Sequence, residues 1–171
     1  MTPCPDERGR RLAGLPAWAW GLLLVAVTVV HRSLLAARTF PLPVDTGTLA
    51  WMALNILEGE RPLFLYGFCY SGSPMAYLLA ASFRLGGVSW VTFAAPVVLL
   101  AGLWVWLTFR LFERLGGARV GLAAALACTF ADWNTSWYTL APDTSYSALL
   151  ALGTAILLLA CPWLLAGRKR T

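Results

Sequence analysis

The side chains able to do chemistry in this sequence are few, and they gather in one stretch. An apolar run from about Leu15 to Val30 is followed by Asp45, then by Glu58, Arg61, Tyr66, Tyr70 and Tyr77, before the next long apolar run opens at Val91. A carboxylate a few residues beyond a membrane span is costly unless it is solvated, paired or useful, so Asp45 is the first functional candidate. A second acid, Asp143, stands beside Pro142 ahead of the last apolar block, and Asp132 lies a little before it. Arg38, Arg61 and Arg84 can contact an anion, or can lay their stems along apolar surface with their heads in water. The tyrosines can line a pocket or form an aromatic belt at a membrane interface.

The elements that must position these groups follow from composition. At 59% hydrophobic and 12% charged residues, the chain lies well outside the soluble average and reads as an integral membrane protein. The apolar residues come in long blocks rather than short alternating runs, which excludes a closed barrel and makes the fold class all-α. The net charge of +5 does not signal nucleic acid, because the basic residues sit at the ends of apolar blocks instead of forming a stripe with interleaved aromatics. Cys4, Cys69, Cys128 and Cys161 lack the close spacing of zinc or redox sites and read as unpaired thiols. His31 stands alone, and no metal cluster is visible.

Four spans are expected. The first runs from Leu15 to Val30, extendable toward Leu35 if His31 and Arg32 snorkel to the interface; Ala36-Ala37 offers only a weak signal-peptide cleavage site. Residues 46–58 carry Leu49, Met52, Ala53 and Ile56 at helical spacing and stop at Gly59, which predicts a short amphipathic helix with Asp45 as N-cap. Its apolar stripe would face lipid or the bundle. Pro74 to Leu85 is too short to span and reads as a second interfacial helix. Val91 to Phe109 is span two. Val120 to Phe130 is short for span three, which must either start near Ala118 or continue through Asp132 toward Trp137. Span four runs from about Ser145 to Leu165.

With four spans, Arg8, Arg10, Arg11, Arg110, Arg114, Arg119, Arg168, Lys169 and Arg170 all fall on one side, which the positive-inside rule makes cytoplasmic. Both termini are then cytoplasmic in an inner (plasma) membrane. Residues 1–12 form a cytoplasmic N-terminus and 13–171 a single transmembrane domain, with an extracytoplasmic loop over about 36–90. Asp45, Glu58, Glu60, Asp132 and Asp143 fall outside, so polar chemistry is expected on the extracytoplasmic face.

The order Asp45, Glu58, Gly59, Pro62, Phe64, Tyr66, Gly67, Tyr70, Gly72, Ser73, Tyr77, followed by FRLGGVSW and LFERLGGARVGLAAALACTFA, resembles the GT-C glycosyltransferases. The branch is the bacterial one similar to protein mannosyltransferases and lipid A aminoarabinose transferases. The likeness covers roughly Leu15 to Leu165 and lies in order and spacing, since no single tetrapeptide is diagnostic. Two departures stand out: Thr46 follows the acid where some relatives carry a second acid, and relatives have many more spans. The chain therefore looks like the N-terminal part of that module, with further transmembrane segments or subunits as partners.

The resemblance implies transfer of a sugar from a polyprenyl-phosphate carrier to a hydroxyl acceptor on a glycan, lipid or protein. It makes Asp45 the general base that takes the acceptor's proton, against a plain helix cap. It also places Asp143 at donor or acceptor, against a plain helix start at Pro142-Asp143-Thr144-Ser145, with Arg61 at the leaving phosphate and Tyr66 and Tyr70 in a sugar or acceptor pocket. The donor carrier is the only bound group implied; a divalent metal is left undecided. A different class of reading is a small non-enzymatic membrane subunit or an inactive relative on the same scaffold.

Overall fold

The computed structural model describes residues 11–12, 15–39, 44–140 and 146–168; at 11–12, 39, 44–45, 68–71, 133 and 163–168 only the backbone is described. Among these residues seven helices dominate, with two short antiparallel hairpins. The first hairpin pairs β1 (Arg11–Leu12) with β2 (Leu15–Pro16) and leads into α1 (Ala17–Thr39). Then come α2 (Val44–Leu57), the hairpin β3 (Phe64–Leu65) with β4 (Phe68–Gly72), and α3 (Pro74–Gly86). The rest is α4 (Trp90–Gly116), α5 (Ala118–Thr129), α6 (Trp133–Leu140) and α7 (Tyr146–Arg168). Two helices, α1 and α4, are long and apolar enough to cross a membrane.

α4 is the central helix and packs against α1, α3, α5 and α7. It starts at a complete capping box between Ser89 and Thr92, which satisfies N–H groups that a helix start leaves open. It runs two turns past the expected Phe109, with Arg110 and Glu113 paired at 3.2 Å. Gly117, at φ +86°, then ends it and donates its N–H to the Glu113 carbonyl; only glycine takes that backbone without strain. The chain reverses there, and Gly121 of α5 comes so close to α4 that an added Cβ would sit 2.8 Å from the Phe109 carbonyl oxygen. Absence of a side chain is what allows this approach.

Two buried clusters mark the two ends of the bundle. Ala17, Leu24, Val105, Phe109, Ala118 and Ala125 gather at the basic end, near Arg110, Arg114 and Arg119. Ala36, Ala94, Val98 and Leu140 gather at the opposite end, where α1 and α6 finish and α4 begins. α2 and α3 pack there too, through Leu49, Met52, Ala53, Met75, Leu79 and Phe83 against Phe93 and Val97 of α4. The expected stripe of α2 thus faces α3 and the bundle.

Prolines interrupt α4 at Pro96 and α7 at Pro162. A proline inside a helix has no N–H for the carbonyl four residues earlier, here Thr92 and Leu158. Both carbonyls find a donor on a neighbouring helix: the Ser82 hydroxyl donates to Thr92 at 2.7 Å, and Arg114 Nη1 donates to Leu158 at 3.2 Å. The proline defects thereby tie α3 to α4 and α4 to α7.

Three expectations need correction. α2 begins at Val44, so Asp45 is a first-turn residue of the helix rather than its N-cap. The segment expected as span three breaks between Phe130 and Asp132, dividing it into α5 and α6. Arg32 does not snorkel: it is 1% exposed and is the largest fully buried side chain described.

Candidate functional site

The expected site unit, from Asp45 to Tyr77, folds as α2, the β3–β4 hairpin and α3. The hairpin pairs Phe64 with Gly72 and Leu65 with Phe68. The Pro62 carbonyl fastens its base, accepting from the Ser73 hydroxyl at 2.6 Å and the Tyr77 hydroxyl at 3.1 Å. Tyr66 sits at the turn. Its hydroxyl donates to the Glu60 carboxylate and accepts from Asn55 Nδ2 at 3.2 Å, so it links the end of α2 to the hairpin. The Glu60 contact, which favours the protonated phenol, holds the Tyr66 pKa above the ordinary tyrosine value.

The other expected residues divide. Arg61, Arg38 and Arg84 are exposed, as side chains at an interface would be. Asp45 is described by its backbone alone, as is Tyr70 on β4, and Asp143 lies outside the described residues. Asp132 caps α6: its carboxylate accepts from the Thr135 hydroxyl at 2.6 Å and from the Asn134 N–H at 3.2 Å.

The residue that sequence reasoning missed is Arg32. The buried stripe of α1 is Ala17, Gly21, Leu24, Thr28, Arg32 and Ala36, a helical spacing that puts Arg32 on the inward face. Listing positions by face, rather than by distance from the end of the helix, finds it in the sequence.

Near Arg32, α1 packs against α5 and its end as well as against α4. One turn below, the Thr28 and Thr129 hydroxyls meet at 2.9 Å, so one donates to the other while the second donates to the carbonyl of its own helix; Leu24 and Ala125 are the two carbonyls within reach. The His31 ring lies 5.7 Å from that of Phe130. The Cys128 thiol, in the last turn of α5, is close enough to interact electrostatically with Arg32. Arg32 therefore faces the stretch where α5 stops and α6 has not begun.

Unpartnered buried polar side-chain atoms among the described residues are His31 Nδ1, Arg32 Nε and Nη1, Thr46 Oγ1 and Ser147 Oγ. They lie in the last third of α1, the first turn of α2 and the first turn of α7, all toward the α2–α3 end. Among the described residues, no three His, Cys, Asp or Glu side chains come together as a metal site. No family model, curated protein or solved structure matches this chain.

Proposed function

We propose that the chain is a four-span membrane protein acting as the N-terminal part of a GT-C-type glycosyltransferase. It would transfer a sugar from a polyprenyl-phosphate carrier to a hydroxyl acceptor at the α2–α3 end of the bundle. The spans are α1, α4, α5 with α6, and α7. Helix geometry supports this count. The 12 residues of α5 and 8 of α6 cover about 18 and 12 Å, together about the 30 Å of a bilayer core. The 23 residues of α7 reach about 34 Å. α1, α4 and α7 expose Leu22, Leu23, Val30, Leu99, Leu103, Leu152 and Ile156, apolar side chains suited to lipid. The basic end is then cytoplasmic by the positive-inside rule.

The observation that carries the reading is the compactness of the Asp45–Tyr77 unit. The residues that resemble the family's signature form one helix–hairpin–helix body seated at the bundle end opposite the arginine-rich turn. A carrier phosphate at the interface would meet that body from the membrane side, with Asp45 in the first turn of α2 as the base. Arg61, exposed just beyond α2, and Tyr66 at the hairpin turn would stand near the donor phosphate and the sugar, with Tyr70 and Asp143 as the remaining substrate-binding candidates.

Asp45→Asn tests the assignment. Asn nearly matches Asp in shape but takes up no proton, so sugar transfer in the assembled enzyme should fall about 10²- to 10⁴-fold with folding retained. Transfer within a few-fold of the unsubstituted protein would remove Asp45 from the reaction, and a larger loss in Asp143→Asn would move the base to the second loop. Topology is checked by labelling: Cys69 should react from outside, and a cysteine at Gly116 only from inside.

A further inference from the structure

We propose that Arg32 and His31 form a buried binding site for a phosphate oxyanion where α1 faces the break between α5 and α6. The proposal rests on the bilayer reading and is independent of sugar transfer. An uncompensated guanidinium is among the costliest groups to bury, yet Arg32 is 1% exposed with Nε and Nη1 unpartnered. No described carboxylate answers it. The one described ion pair, Arg110–Glu113, belongs to the basic end, and both oxygens of Asp132 are engaged in capping α6. Within electrostatic reach of Arg32 is Cys128, in the last turn of α5.

An anion is the group that balances this environment. The planar guanidinium offers N–H donors to more than one oxygen of a phosphate, and it stays charged where an ammonium would give up its proton. His31 adds a further donor when its proton is on Nδ1, the buried and unpartnered nitrogen; contact with Phe130 steadies the ring.

Access is given by depth and by the break. Arg32 lies about 10 Å short of the end of α1, one or two turns below the layer in which lipid phosphates reside. Facing it, three residues between α5 and α6 leave the helical path, and irregular backbone at membrane depth occurs where it is buried in protein or lines a polar cavity. The ligand is a phosphate carried on a lipid headgroup or free in solution.

The experiment uses the full chain in phosphatidylcholine nanodiscs with and without phosphatidic acid, and in detergent with radiolabelled inorganic phosphate. Native mass spectrometry counts retained phosphatidic acid, and filtration counts bound phosphate. The unsubstituted chain should retain at least one of the two probes, and which one identifies the source. Arg32→Met, which fills similar volume, should bind about 10- to 100-fold more weakly, the loss expected for a charge-assisted contact. Arg32→Lys, which keeps charge without the planar fork, should fall between. Arg119→Gln, an exposed arginine at the basic end, should bind normally.

Retention of neither probe overturns the proposal, as does undiminished binding by Arg32→Met or an equal loss in Arg119→Gln. A tenfold gain in Asp45→Asn or Asp143→Asn would also overturn it, by revealing an internal carboxylate as the occupant. Failure of the chain to enter nanodiscs removes the bilayer reading and the site with it.

Discussion

The two ends of this bundle are built by opposite rules. At the basic end, α4 and α5 meet backbone to backbone over Gly121, the turn is closed by Gly117, and no buried side-chain polar atom among the described residues lacks a partner there. At the α2–α3 end, buried hydroxyls, a ring nitrogen and a guanidinium go unanswered. The Thr28–Thr129 pair, complete in its hydrogen bonds, is the boundary between them. Tight packing is what holds a fold; unanswered polarity is tolerated where something else completes it. The contrast assigns support to one end, and leaves the other as the place where the proposed ligand would act.

Substitutions can break the contrast from either side. Gly121→Leu should have the largest effect, because its side chain would displace the backbone of α4. A loss of about 3 kcal/mol is expected for such overpacking, read as loss of monodisperse protein in detergent. If that variant folds normally, the basic end is not held by close approach.

At the other end the sign should reverse. Arg32→Met should raise the unfolding free energy by about 2 kcal/mol, as replacing buried charge by packed apolar volume often does; a lower thermal midpoint than the unsubstituted chain would show that Arg32 supports the fold. Ser82→Ala should cost about 1–2 kcal/mol, since the Thr92 carbonyl loses its donor. Loosening should appear as faster hydrogen exchange in α3 before α4, and an unchanged α3 would mean that the carbonyl finds another partner.

The smallest effect concerns pH. The folded-state pKa of Tyr66 is raised by Glu60, so its contribution is fully present below the ordinary tyrosine range near 10. It is lost as pH rises through the raised value. A titration of stability above pH 9 should show that loss in the unsubstituted chain and not in Tyr66→Phe; identical curves would detach Tyr66 from the stability of the hairpin.

Much of the helical order is legible in the sequence because Gly and Pro punctuate it. Gly59, Gly86-Gly87 and Gly116-Gly117 stand at helix ends, and Leu49, Met52, Ala53 and Ile56 do form the inward stripe of α2. The β3–β4 hairpin was not legible: its strands are short, and only the tertiary contacts through Pro62 and Tyr66 fix them. The break at 130–132 was half legible, since Asp132 with Thr135 marks a helix start while the apolar run on either side argues for continuity. Of the candidate site, the Asp45–Tyr77 unit was visible as a phrase. Arg32 was hidden by its nearness to a helix end, where a long cationic side chain is usually assigned to water.

The two carbonyls released by proline also imply an order of assembly. A chain made from its N-terminus presents Ser82 before Thr92 and Pro96, and Arg114 before Leu158 and Pro162. Each defective helix thus emerges after the donor that will repair it. Neither α4 nor α7 needs to wait with an unanswered carbonyl for a partner still to be synthesised, and a permuted chain with α3 placed behind α4 would lose that protection while keeping every contact of the finished bundle.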